Sequence, residues 1–67
     1  MKITVNNSPK IIDEQYVTVS RLLEILGVKG NGTAVAVNER LIRKDDRPST
    51  PVSDGDAITI ITAAFGG

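Results

Sequence analysis

One segment of this chain has helical periodicity, and it restricts the fold to a sheet with a single helix laid across it. In Thr18-Val19-Ser20-Arg21-Leu22-Leu23-Glu24-Ile25-Leu26-Gly27, the apolar residues Val19, Leu22, Leu23 and Leu26 fall at i, i+3, i+4 and i+7. That spacing makes one continuous stripe on a helix. Thr18 supplies the hydroxyl that an N-cap uses to satisfy an orphan N–H of the first turn. Gly27 can take the left-handed conformation that ends a helix, with Val28 placed to pack back on the last turn. A 67-residue chain has room for one small domain, which buries only about 60% of its unfolded surface. It holds no cysteine and no histidine, so neither a disulfide nor a usual zinc site can reinforce it. It must fold on packing alone.

The remaining segments read as strands and turns. Lys2-Ile3-Thr4-Val5-Asn6 alternates with period two and predicts a half-buried strand with Ile3 and Val5 inward. Asn7-Ser8-Pro9 has turn chemistry, and Lys10-Ile11-Ile12-Asp13 returns as a second strand. Thr33-Ala34-Val35-Ala36-Val37-Asn38 predicts a third strand, with the valines on one face and the alanines on the other. Asn38-Glu39-Arg40 turns into the short apolar segment Leu41-Ile42. From Arg43 to Asp56 the chain is charged, contains Pro48 and Pro51, and reads as a surface loop with room for one helical turn. Asp54-Gly55-Asp56 then launches the last strand, Ala57-Ile58-Thr59-Ile60-Ile61-Thr62.

The expected class is α+β, a mixed sheet of four to five strands with one main helix on one face. Residues 1–62 form the body, and 63–67 a flexible C-terminal tail. The helix provides the crossover that lets the first and last strands pair in parallel at the sheet centre. With Ile58 and Ile60 toward the helix, Thr59 and Ile61 point out on the open face beside Ala36 and Thr4. An exposed isoleucine among small residues suits a partner-docking patch of Thr59, Ile61 and Ala36.

Composition removes several functions. Eight basic and eight acidic residues cancel, and one Tyr and one Phe give no stacking platform, so nucleic acid is not an expected partner. The N-terminus lacks the apolar core of a signal peptide, and no apolar run approaches a membrane span. The expected location is the cytoplasm. Without His or Cys, the serines at 8, 20, 49 and 53 have no imidazole to activate them. The chain is not expected to be an enzyme or to hold a metal. Asp54-Gly55-Asp56 is a turn rather than a calcium loop, because no further carboxylates or closing Glu follow. Asp13-Glu14 reads as a solvated turn, and Arg43-Lys44-Asp45-Asp46-Arg47 as a solvated loop. Tyr16 is expected to close the end of the core beside the helix. Phe65 divides evenly between core packing and an interface.

Gly66-Gly67 is the positive feature. Terminal glycines are usually a frayed end. Here the pair follows a strand closely and ends the sequence in a carboxylate. Having no side chains, it can thread a narrow channel and adopt backbone angles closed to other residues.

Taken in order, Met1-Lys2-Ile3-Thr4-Val5-Asn6, Thr18-Val19 with Leu22-Leu23, Val35-Ala36-Val37-Asn38, Asp54-Gly55-Asp56-Ala57-Ile58 and Gly66-Gly67 resemble the ThiS family from end to end. These are the sulfur carriers of thiamine (thiazole) biosynthesis. The resemblance implies a β-grasp, ubiquitin-like fold. It also implies an E1-like adenylating enzyme (ThiF type) that uses ATP and magnesium to convert the terminal carboxylate to an acyl-adenylate. Sulfur from a persulfide donor, such as a cysteine desulfurase, then displaces AMP to leave a thiocarboxylate. Thiazole synthase (ThiG type) takes that sulfur. No cofactor is implied on the carrier itself. Carried onto this sequence, Gly67 is the sulfur acceptor and Gly66 and Phe65 belong to the presenting tail. The Arg43–Ser53 loop matches no family motif. Two alternatives stay open: a MoaD-like carrier for molybdopterin or another pathway, and a non-covalent ubiquitin-like binding module.

Overall fold

The computed structural model describes residues 1–62; the tail expected over 63–67 lies outside them. The chain opens with β1 (Lys2–Val5) and β2 (Ser8–Ile11), an antiparallel hairpin in which Val5 faces Ser8. Its turn is Asn6-Asn7, at φ 50° and 69°. Two central residues at positive φ define the type I′ hairpin turn, whose twist matches that of the strands. Asn tolerates this conformation better than other residues with a side chain.

The turn therefore comes one residue earlier than the sequence suggested, and Ser8 and Pro9 belong to the strand. The reason is the sheet edge. Met1 and Ile12 exchange both backbone bonds, at 2.7 and 2.8 Å. The alternation that follows puts Pro9, opposite Thr4, in a wide pair whose nitrogen faces away from β1. No ladder donor is lost there.

The helix matches its sequence signals. β3 (Val17–Thr18) runs into α1 (Val19–Leu26). Thr18 is the N-cap, its Oγ1 accepting from Arg21 N at 3.2 Å. At the other end Gly27 sits at φ 70°, its N–H donates to Glu24 O, and Val28 N donates to Leu23 O. These two bonds are the Schellman pair.

β4 (Thr33–Val37) and β5 (Arg40–Ile42) form a second type I′ hairpin around Asn38 (φ 51°) and Glu39 (φ 69°). A 3₁₀ helix over Lys44–Ser49 leads to β6 (Pro51–Val52) and finally β7 (Ala57–Thr62). The main sheet has the order β2-β1-β7-β4-β5, and β3 and β6 make a separate two-stranded sheet. β7 is central, parallel to β1 and antiparallel to β4.

The core lies between one sheet face and α1. Ile3, Val35 and Ile58 from the sheet meet Val19, Leu22 and Leu23 from the helix, and Ile12, Val17 and Val52 close the cluster. Burying each of these side chains contributes about 1.5–3 kcal/mol before chain entropy is charged against it.

Two expectations fail here. The Arg43–Asp56 stretch is not simply a solvated loop: Val52 is core, paired across from Val17. Arg47 is only 4% exposed. Its Nη1 donates to Gly30 O at 3.0 Å and Thr33 Oγ1 at 3.3 Å, and Nη2 to Thr33 O at 2.7 Å. Tyr16 does not close the core; it is 92% exposed. Val17 turns inward instead, and strand alternation sends its neighbour out.

Candidate functional site

β7 carries the candidate site, because the chain continues from its last residue, Thr62, toward Gly66 and Gly67. Phe65, Gly66 and Gly67 themselves fall outside the described residues. Along β7, Ile58 is buried and Ile60 half-buried toward the helix, while Ala57, Thr59, Ile61 and Thr62 are exposed.

Residues directly opposite in a ladder share a face, so the register maps the open side. Ala36 faces Thr59 on one flank and Leu41 on the other, giving a row Leu41–Ala36–Thr59 across three strands. Ile61 faces Ala34 rather than Ala36. Thr4 lies beside Ala57, and Pro9 beyond it. The three residues expected to form a docking patch thus share one face: Thr59 is exposed, Ala36 half-buried and Ile61 62% exposed.

Two large apolar residues escaped the sequence reading. Leu41 is 69% exposed in the Thr59 row, and Ile11 is 68% exposed opposite Lys2. Treating Asn38-Glu39 as a two-residue turn would have placed Leu41, since it pairs Val37 with Arg40 and hence Ala36 with Leu41.

Both hairpin turns reach over to hold β7. Asn6 N donates to Ile58 O at 2.8 Å. Its side chain then accepts from Ile60 N at 2.8 Å and donates from Nδ2 to Ile60 O at 3.1 Å. The side-chain amide stands where the next peptide of β1 would be and extends the parallel ladder past Val5. Asn38 does the equivalent at the start of the strand. Its N donates to Ala57 O at 2.8 Å, its Oδ1 accepts from Ala57 N at 2.9 Å, and its Nδ2 donates to Asp56 Oδ1 at 3.0 Å.

The charge established near this end of β7 is the enclosed guanidinium of Arg47, bonded to Thr33 O and Oγ1. Thr33, Ala34 and Asn6, which border that strand end, offer a hydroxyl, a methyl and an amide, with no general acid or base among them. Among the described residues the ion pairs are elsewhere: Arg21 Nε and Nη2 donate to the Glu14 carboxylate at 3.1 and 2.9 Å, and Arg21 Nη1 lies 3.9 Å from Glu24 Oε2. That two-pronged bond holds the Glu14 carboxyl below its ordinary range and raises Arg21. A shallow apolar groove of about 580 Å³, lined by Met1, Tyr16, Val17, Pro51 and Val52 among others, lies at the opposite pole, where β1 begins. Among the described residues no helix is long and apolar enough to cross a membrane. Among the described residues, the end of β7 lies beside the face that carries Ala36, Thr59 and Ile61.

Known proteins share this arrangement. The sulfur carrier protein ThiS of Thermus thermophilus is 29% identical over 65 residues, covering 97% of this chain and 98% of that protein. A crystal structure of the thiamine biosynthesis protein ThiS from Geobacter metallireducens superposes with a TM-score of 0.89 at 30% identity, each chain covered completely. A solution structure of a thiamine biosynthesis protein from the same organism gives 0.84 at 30% identity, covering all of this chain and 88% of the other. The fold is thus the β-grasp expected from the sequence. The model of the ThiS family matches residues 2–67, and the chain belongs to that family.

Proposed function

We propose that this chain is a sulfur carrier for thiamine biosynthesis whose reactive group is the carboxylate of Gly67. The observation that carries the reading is the family match, which runs through the body and includes the final glycine. The curated relative is itself a sulfur carrier.

The chemistry follows from what a carboxylate lacks. Its oxygen is a poor leaving group, so an E1-like partner of ThiF type, using ATP and magnesium, joins it to AMP and releases pyrophosphate. The terminal sulfur of a persulfide, formed by a donor such as a cysteine desulfurase, displaces AMP. Thiol reduction of the resulting S–S bond leaves a thiocarboxylate. A thiazole synthase of ThiG type consumes that sulfur. The chain is a co-substrate throughout: β7 supplies reach, Gly66 and Gly67 supply slenderness, and the partners supply catalysis.

The grip is the open face. Thr59, Ile61 and Ala36, extended by Leu41, form an uncharged surface next to the departing strand. An exposed apolar patch of this kind, free of buried charge, suits the centre of a protein interface.

The test incubates the chain with an adenylating partner, ATP, magnesium and a persulfide source, and reads intact mass. The expected result is exchange of one oxygen for sulfur, abolished by deletion of Gly67 with the fold intact. Ile61→Thr combined with Leu41→Thr should raise KM about tenfold or more while leaving kcat, as loss of interface anchors does. A competent partner that leaves the mass unchanged refutes the reading.

A further inference from the structure

Asn6 does more than close a hairpin. Along β7, backbone groups alternate sides: those of Ala57, Thr59 and Ile61 face β4, and those of Ile58 and Ile60 face β1. The β1 side is served by Thr4 N to Asp56 O, Asn6 N to Ile58 O, and then the Asn6 side chain on both polar groups of Ile60. β1 ends at Val5, so among the described residues Ile60 is the last point at which β7 is held from that side. Beyond it, Ile61 and Thr62 are held by β4 alone, opposite Ala34 and Thr33.

We propose that Asn6 is a positioning residue for the sulfur-transfer reaction. By locking the Ile60 peptide from the β1 side it keeps β7 held on both flanks up to two residues before Thr62, on the way to Gly67. The inference rests on the carrier reading above and deepens it. A strand held on both flanks as far as Ile60 moves less at its end than one whose β1 side is held only to Ile58, with β4 alone carrying Thr59 to Thr62. Delivery of the carboxylate in an attack geometry depends steeply on where that strand end is held, since misplacement by about 1 Å can cost two orders of magnitude in rate. The grip on the open face does not involve Asn6, so the effect falls on turnover and not on docking.

The hydrogen bonds to Ile60 lie at the surface, so water replaces them when the amide is removed and the body stays folded. Glycine accepts the φ of 50° at this position, which makes Asn6→Gly a clean deletion of the side chain. Asn38 supplies the control. Its Oδ1 accepts from Ala57 N at the far end of the same strand while its Nδ2 donates to Asp56, so Asn38→Gly likewise removes two side-chain hydrogen bonds and carries a comparable loss of stability.

The experiment measures sulfur exchange kinetics and amide hydrogen exchange on the full chain. In Asn6→Gly, Ile60 amide protection should fall about tenfold with Ala57 unchanged, the loss expected when one anchoring bond is opened locally. Its kcat should fall about five- to tenfold with KM within about twofold. Asn38→Gly should show the reverse protection pattern and a kcat within about twofold of wild type. Asn6→Asp, which still accepts from Ile60 N but cannot donate to Ile60 O, should lie between. An equal fall in kcat for both glycine variants makes the role merely structural and overturns the proposal. So does an unchanged kcat in Asn6→Gly once Ile60 has lost protection. A wild-type chain that fails to exchange sulfur removes the carrier reading and this one together; a normal wild type confines the failure to Asn6.

Discussion

Arg47 offers the sharpest test of how a core this small is held. Its guanidinium is almost fully enclosed, has no carboxylate beside it among the described residues, and donates to two backbone carbonyls and one hydroxyl. Through these contacts the 3₁₀ helix is tied to the loop between α1 and β4. One nitrogen, Nε, is buried without a partner. Hydrogen bonds from a charged donor contribute about 1.5–3 kcal/mol each, and burial of the charge takes back several kcal/mol. Truncation as Arg47→Ala removes the side-chain donor of Thr33 O, leaves Gly30 O with the Thr33 hydroxyl alone, and opens space beneath the 3₁₀ helix. The expected net loss is about 2–4 kcal/mol. A domain this long holds roughly 3–10 kcal/mol in all, so the variant should unfold at much lower urea or be partly unfolded in buffer. Arg47→Met keeps most of the packing and should lose about 1–3 kcal/mol through the carbonyls alone. Arg47→Lys should recover less than half, because one ammonium cannot serve carbonyls that two separate nitrogens now serve. Urea titration followed by far-ultraviolet circular dichroism reads all three. A loss below about 0.5 kcal/mol for Arg47→Ala, the scale of an ordinary surface substitution, would refute the reasoning.

Two further outcomes follow from local geometry. Glu39 occupies a left-handed position at φ 69° that glycine adopts without a Cβ penalty, so Glu39→Gly should stabilise by about 0.5–1 kcal/mol; thermal unfolding should show a higher Tm, and a lower one refutes the turn assignment. The Glu14 carboxyl, held low chiefly by its hydrogen bonds from Arg21, contributes stability above the ordinary carboxylate range that disappears as pH falls through its lowered folded-state value. The Tm difference between wild type and Glu14→Gln should therefore shrink toward zero on acidification, and added salt should reduce it as well; a difference that persists in acid contradicts the pairing.

What could be read from the sequence was what is encoded locally. Thr18, the stripe of Val19, Leu22, Leu23 and Leu26, and Gly27 specify α1 within ten consecutive residues, and the structure follows them closely. The alternation of β4 and β7 likewise fixed which side chains face the helix, and with it the shared face of Ala36, Thr59 and Ile61. The β3–β6 pair was invisible for the opposite reason. Two-residue strands have no periodicity, and Val17 pairs with Val52, a residue far along the chain and beyond the reach of any local pattern. Arg47 sat in a run of mixed charge that reads as solvated; its burial is decided by carbonyls at Gly30 and Thr33 that no local pattern announces. Pro9 misled because its turn propensity is real, and only the outer edge of the sheet makes a strand position harmless.

The parallel pairing of β1 with β7 has a mechanical consequence. β1 begins at one pole of the molecule and β7 finishes at the other, so a pull on the chain beyond Thr62, as the proposed carrier role would require, acts along the strand axis. Such tension loads the rungs from Thr4, Asn6 and Ile60 simultaneously in shear, where a strand tugged sideways would release them one at a time, like a zip. β7 therefore resists being drawn lengthwise out of the sheet.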